Sequence, residues 1–308
     1  MRRTPATLAV LPALAVLATA FSALVLPGPP AAAAPATEAP TAAGTVQLTS
    51  YNICGNMCSR PPYDPARRIA AVAAEADPGG WGADQLFLQE VCEHQYRALL
   101  DRLGPLGYAG FHSATLPAGN PAICEGHAYG NAVLVRGPVS ATAALDLTVG
   151  GEREPITVPC ALTSLADRPT WSCSVHLYWD DGTLAVPEAD RLAAQARQWL
   201  DDGFTVVLGG DFNHSPRTAT LSRFYRPERG DGADGSFIEA DESDPEFFDP
   251  AVCPPAVSAC RSGEATFGAK KLDYVFLSAP HFRAVSADAF PLDTAVSDHN
   301  LLRVSATT

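Results

Sequence analysis

Asn52, Glu90, Asn131, His176, Asp211, Asn213, Asp273, Asp298 and His299 each stand at or next to the end of a strand-like run. Strand ends in open α/β sheets converge on the ligand crevice. A single Asn or Asp there is an ordinary turn residue. A set holding two histidines and four carboxylates points instead to a polar site. In Gly209-Gly210-Asp211-Phe212-Asn213 the glycines let the chain turn sharply, and Asp and Asn project at i and i+2 onto one side. An acceptor beside an amide suits a phosphate and its attacking water, although the same segment also reads as an Asx turn closing the strand. Glu90 follows the apolar run Leu86-Phe87-Leu88 and Gln89. A carboxylate there is costly unless paired or bound to a cation, and a hard divalent ion takes one or two carboxylates plus waters and substrate oxygens. A surface glutamate opening the next helix is the plainer alternative. His299, in Ser297-Asp298-His299, titrates near neutral pH and can take a proton from water. Asp273 in Lys271-Leu272-Asp273-Tyr274 can orient it if their strands are neighbours. His176 is a second histidine at a strand end, where a lone histidine is more often structural. His94, His112, His127, His214 and His281 have weaker contexts.

These residues need strands that stop together. Period-two alternation predicts a strand over 46–53, and short apolar runs predict others at 86–88, 132–135, 156–162, 171–177, 204–208, 272–277 and 301–304. Helices are expected over 64–76, with Asp64 as N-cap and Pro65 at the first position, over 93–103 and over 187–200. The result is an α/β class. Connections near Val139 and Arg168 are too short for a crossover helix, so hairpins are expected there and mixed sheets with them. Residues 226–265 are rich in Asp, Gly, Pro and Ser and read as a long irregular insertion.

Arg2 and Arg3, an apolar stretch from Leu8 to Val25 and the small residues Ala31 to Ala34 predict a secretory signal peptide, 1–34, cleaved near Ala34. Residues 35–44 are expected to be a disordered linker, leaving 45–308 as one domain. At 47% hydrophobic the chain has ample material for a core. A secreted chain suits eight cysteines, an even number that allows up to four disulfides. No Cys-x-x-Cys or paired Cys/His spacing favours zinc. Cys160 and Cys173 can face each other across a turn, and Cys253 and Cys260 can clip the insertion; the pairing of Cys54, Cys58, Cys92 and Cys124 stays open. The net charge of −13 argues against broad capture of nucleic acid but leaves room for a local basic groove.

The ordered series Asn52, Gln89-Glu90, Gly130-Asn131-Ala132, His176-Leu177, Gly210-Asp211-Phe212-Asn213, Leu272-Asp273-Tyr274 and Ser297-Asp298-His299 resembles the endonuclease/exonuclease/phosphatase superfamily. The resemblance implies a four-layer α/β sandwich, two mixed β-sheets packed face to face with helices outside. It implies Glu90 as main metal ligand assisted by Asn52 and Asp298, with Mg²⁺ as cofactor and Mn²⁺ or Ca²⁺ as substitutes. Asp211 and Asn213 would position water and phosphate. His299, oriented by Asp273, would be general base or charged partner of the phosphate, and His176 would bind a phosphate oxygen or serve the leaving group. Asn131 would contact substrate. Cys54 stands two residues after Asn52, where several members carry an acid that supports the metal.

A secreted metal-dependent phosphodiesterase or endonuclease acting on DNA, as a monomer, is the leading functional expectation. Arg217, Arg223, Arg226 and Arg229 with Tyr225 form a local basic-aromatic patch suited to a phosphate backbone, with Arg217 and Arg223 as substrate ligands; a solvated helix end and loop is the plain alternative. A sphingomyelinase-like or phosphoinositide hydrolase acting on a lipid headgroup is the second reading. Phe247-Phe248 would then enter the bilayer surface, but five acids surround it. A catalytically inactive binding protein is a third, opposed by the intact motif set.

Overall fold

The strand-forming runs pair into two six-stranded sheets in the computed structural model, which describes residues 44–56, 64–242, 261–291 and 293–308. The first sheet holds β1 (Thr45–Asn52), β2 (Gln85–Cys92), β3 (Tyr108–Leu116), β4 (Tyr129–Arg136), β11 (Arg283–Phe290) and β12 (Leu301–Thr307) in the order β11-β12-β1-β2-β4-β3. The second holds β5 (Ala141–Asp146), β6 (Thr157–Leu165), β7 (Arg168–His176), β8 (Thr205–Asp211), β9 (Phe237–Glu239) and β10 (Asp273–Ser278) in the order β5-β6-β7-β8-β10-β9. Both are mixed. The central pairs β1/β2 and β7/β8 run parallel, and every other pairing is antiparallel.

Helices make each parallel pair possible, because a parallel connection must cross back over the sheet. Helix α1 (Pro65–Glu75) lies between β1 and β2, and the Asp64 carboxylate caps it by accepting from Ala66 N and Arg67 N. Helix α2 (Glu93–Leu103) follows β2. Helix α3 (Gly182–Asp201) connects β7 to β8. It begins five residues before the expected Pro187, because Asp181 caps it by accepting from Thr183 N. Pro187 sits inside the helix, in its second turn, where it cannot donate to the Thr183 carbonyl. A short α4 (Ala219–Ser222) follows β8.

Three apolar clusters fill the spaces between four layers. Tyr51, Ile69, Val72, Leu88 and Leu99 join the first sheet to α1 and α2. Leu48, Phe87, Val133, Val207, Val275 and Leu302 lie between the sheets. Val206, Leu192, Ala196, Trp199, Phe212 and Phe276 join the second sheet to α3 and the segment after β8. Each fully buried Val, Leu, Ile or Phe side chain among them contributes about 1.5–3 kcal/mol.

Gly209 and Gly210 do not form a turn after the strand; both belong to β8. A Cβ on Gly209 would meet the Phe87 ring at 2.3 Å, and one on Gly210 would meet the Val175 carbonyl oxygen at 2.0 Å. They let β8 approach β2 and β7 closely. The connection at Arg168 is the expected hairpin, and Cys160 and Cys173 are register partners in it, joined by a disulfide. The connection at Val139 is not a hairpin. It carries the chain from β4 in one sheet to β5 in the other, a route that the solvent-facing β5 conceals in the sequence. A second disulfide joins Cys92 to Cys124, and Cys54 is disulfide-bonded as well. Residues 1–43, Cys58, Phe247-Phe248 and the Cys253/Cys260 pair lie outside the described residues. The described part of the 226–265 insertion is less irregular than expected, because β9 adds an edge strand beside β10. Among the described residues no helix is long and apolar enough to cross a membrane.

Candidate active site

Sheet register builds half of the site. His176 on β7 is the partner of Asp211 on β8, and Asp211 is the partner of Asp273 on β10. The three therefore stand in one row at the end of the second sheet. His299 enters from the loop before β12, and its Nδ1 meets Asp273 Oδ2 at 2.9 Å. Its Nε2 lies 3.6 Å from Asp211 Oδ2, and His176 Nε2 lies 3.8 Å from the same oxygen. These two separations exceed a hydrogen bond and can tighten around a substrate. Asp211 Oδ1 accepts from Asn213 N at 2.8 Å, while Asn213 Nδ2 donates to Leu177 O at 2.8 Å.

The other half comes from the first sheet. Asn52 ends β1, and its Nδ2 donates to Glu90 Oε1 at 3.0 Å and to Asp211 Oδ2 at 3.2 Å. Its Oδ1 accepts from Cys54 N at 3.0 Å. Asn52 thus ties the two sheets' carboxylates together behind the cleft. Gln89 and Glu90 are sequence neighbours with different duties. Gln89 points between the sheets, where its Nε2 donates to Ser174 Oγ at 3.0 Å. Glu90 has φ 57° at an irregularity in the β2/β4 pairing. Such a bulge re-aims a side chain, here toward the cleft. Asn131 holds the bulge: its Oδ1 accepts from Glu90 N at 3.2 Å and its Nδ2 donates to Thr157 O at 3.0 Å.

A cleft of about 390 Å³ gathers Glu90, His176, Asp211, Asn213, Asp298 and His299. Asn131, expected to touch substrate, is buried and occupied with Glu90, and it does not line the cleft. Arg217 and Arg223 do not line it either. Arg217 forms a two-point pair with Asp231 at 2.7 and 3.0 Å. Arg223 pairs with Asp190 at 2.6 Å and Asp234 at 3.2 Å. Arg226 and Arg229 both meet Glu242, and Tyr225 is fully buried. The basic-aromatic patch is therefore neutralised by acids that sequence spacing does not reveal.

Tyr129, Glu154, Trp179, Phe267 and Lys270 also line the cleft and were not anticipated. Tyr129 stands two residues before Asn131 on the same strand, a spacing that places both on one side. Glu154, Trp179 and Lys270 lie in loops with no periodic signal. The wall that Glu154 and Trp179 share is braced. Glu188 on α3 accepts from Tyr178 N at 3.0 Å and lies beside the Glu152 carboxylate, while Glu152 accepts from Val149 N and Gly150 N at 2.6 and 2.7 Å.

The electrostatics divide the roles. Burial and the neighbouring Asp273 push Asp211 up to about 6, against the lowering effect of His299 and His176. Burial pulls His299 down, but Asp273 and Asp211 outweigh it and raise the imidazole to about 10. His299 is thus an imidazolium at neutral pH. Burial lowers His176 despite Asp211, so it is neutral there. Burial raises Glu90, with Asp298 adding to the effect and Asn52 opposing it. Two carboxylates facing one cleft carry a cost that a cation relieves, and an all-oxygen donor set suits a hard divalent ion. The residues therefore fit a metal at Glu90 and Asp298. Asp211, Asp273 and His299 also bring ligand atoms within 4.8 Å of one another, but His299 Nδ1 and Asp273 Oδ2 already satisfy each other.

This geometry agrees with the comparisons. The model of the Endonuclease/Exonuclease/phosphatase family matches residues 49–299, and the chain belongs to that family. No curated protein matches in sequence. Among solved structures, an endonuclease/exonuclease/phosphatase family protein from Bacteroides thetaiotaomicron aligns with TM-score 0.62 and 14% identity, over 86% of this chain and 98% of that one. A mannosyl-6-phosphatase from the same organism aligns with TM-score 0.59 and 16% identity, over 85% and 99%. Truncated TDP2 from Caenorhabditis elegans aligns with TM-score 0.58 and 19% identity, over 86% and 98%. At these identities the likeness is one of fold. Members of this family are phosphoester hydrolases and generally use a divalent metal.

Proposed function

We propose that this protein hydrolyses a phosphoester with the aid of a divalent cation, Mg²⁺ in the first place, held by Glu90 and Asp298. The observation that carries the reading is Asp211 Oδ2, which lies within 3.8 Å of His176 Nε2, His299 Nε2 and Asn52 Nδ2. When bound, the cation supplies positive charge to the phosphoryl group and the departing oxygen. Asn213 and Asp211 align the attacking water, and Asp211, with its raised proton affinity, receives the water's proton. His299, held charged by Asp273, faces the phosphoryl oxygens as their electrostatic partner. His176 lies on the other flank of Asp211 and serves the leaving group. The water oxygen bonds to phosphorus, the ester P–O bond breaks, and the released alcohol takes its proton from solvent.

Export belongs to the same proposal: a leader over 1–34, a linker over 35–44 and a monomeric catalytic domain over 45–308. The disulfides Cys92–Cys124 and Cys160–Cys173 support it, since such bonds persist in oxidising compartments. DNA as substrate has less support, because its proposed arginine ligands are ion-paired and its aromatic is buried. The test is hydrolysis of p-nitrophenyl phosphate, bis(p-nitrophenyl) phosphate and supercoiled plasmid by the oxidised protein, with Mg²⁺ and with EDTA. Turnover that needs the metal supports the proposal. Full activity in chelator sinks the metal's part, and efficient plasmid nicking restores DNA.

A further inference from the structure

A recess of about 460 Å³ opens from the catalytic cleft and shares Glu90, Tyr129, Glu154 and Trp179 with it. Asn56, Leu116, Ile123 and Arg153 complete its lining. Whatever is bonded to a phosphorus held at Glu90 and Asp211 has this recess directly beside it. Trp179 is 53% exposed, the most exposed large hydrophobic side chain among the described residues. An indole left in water at the mouth of a polar cleft is a platform in want of a ring.

The platform is built rather than loose. The Arg153 guanidinium lies 5.3 Å from the Trp179 ring centre, and Arg153 Nη2 meets Asp180 Oδ2 at 2.7 Å. Those contacts join the loop before β6 to the loop after β7, the two loops that Glu188 and Glu152 also brace. The arrangement has a second consequence. Arg153 is the basic side chain of the recess, and Asp180 already neutralises it. With the cation on Glu90, Glu154 leaves the remaining lining negative. Glu154 sits close enough to Glu90 for that charge to raise it further, after burial.

We propose that this recess binds an uncharged, hydroxyl-bearing ring, a sugar or cyclitol, that carries the scissile phosphoester. Resting on the hydrolase reading above, the proposal names its substrate class. The ring's polarised C–H face packs on the negative face of the Trp179 indole. Its hydroxyls donate to the Glu154 carboxylate, and the Asn56 amide lies within the same lining. A hydroxyl that meets a half-buried carboxylate leaves fewer polar groups unpaired than an apolar group would. The Glu154 carboxylate opposes a second phosphate, which every neighbouring nucleotide of a polynucleotide would bring. The chain's net charge of −13 acts in the same direction.

The test compares a hexose 6-phosphate with ethyl phosphate, which lacks a ring, in the oxidised full chain with Mg²⁺. The ring-bearing ester has the higher kcat/KM, by about tenfold or more for one well-packed subsite. Trp179→Ala lowers the ratio between the two esters by a similar factor, through KM rather than kcat. Glu154→Gln lowers it as well. Binding is read independently of turnover, by titrating tryptophan fluorescence with the hexose phosphate in Ca²⁺. A saturable change in the wild type that is lost in Trp179→Phe supports the recess even if no ester is hydrolysed, in which case the hydrolase reading alone fails. No saturable change overturns the recess, as does an ester ratio that Trp179→Ala leaves intact. A single-stranded oligonucleotide cleaved faster than the hexose phosphate, and slowed by Trp179→Ala, overturns it in favour of base stacking.

Discussion

At the residue scale, Asp211 is the hub, because its two oxygens serve both sheets and face both site histidines. Its value of about 6 and that of about 10 for His299 set a pH window. Asp211 must lose its proton to accept one from water, and His299 must keep its own to stay charged. We expect kcat/KM to rise through about pH 6 and fall toward about pH 10; bound cation moves both limbs down. Asp273→Asn removes the charge and hydrogen bond that raise His299, so the alkaline limb moves to lower pH. A pH–rate profile of that variant with an unmoved alkaline limb defeats the charged role of His299. His299→Ala is expected to cost at least about two orders of magnitude in kcat, read on p-nitrophenyl phosphate with the fold checked by circular dichroism.

At the element scale, the eight strands expected from the sequence are the inner ones of both sheets. The four not expected, β3, β5, β9 and β11, are the four sheet edges. The reason is exposure: an inner strand is buried on one or both faces and reads as an alternating or apolar run, whereas an edge strand such as β5 or β11 is mostly exposed and carries little pattern. The glycines of β8 resemble a turn in the sequence, which cannot show that Phe87 of another sheet lies against Gly209. Gly209→Ala is therefore expected to destabilise by about 1–3 kcal/mol through overpacking, measured by urea denaturation. A change near zero would mean that the sheets can separate locally without penalty.

At the scale of the whole molecule, Glu188 couples stability to pH. Burial pushes its carboxyl up to about 7 from an ordinary 4.5. A raised folded value means that its contribution is full below about 4.5 and lost as pH rises through about 7. Thermal stability should fall over that window, and Glu188→Gln, which stays uncharged at every pH, should flatten the fall; each kcal/mol moves Tm by about 2–4 °C at this size. Scans at pH 5 and pH 8 check it, and equal slopes in both proteins refute it. Mg²⁺ should also raise Tm of the wild type and not of Glu90→Gln, since a ligand of the folded state stabilises it by mass action. What the sequence determined by itself was the inner strands, the helices α1 and α2 and the chain positions of the polar residues at strand ends, because periodicity, capping and strand termination are local properties. Only the tertiary structure decided that His176, Asp211 and Asp273 share one row and that a bulge turns Glu90 toward them. It also decided that Asn131 braces Glu90, that the arginines are taken by distant acids and that Trp179 and Glu154 stand at the cleft. Each depends on register or on loop packing between segments far apart in sequence, and no local pattern encodes the partner that a side chain meets across a sheet.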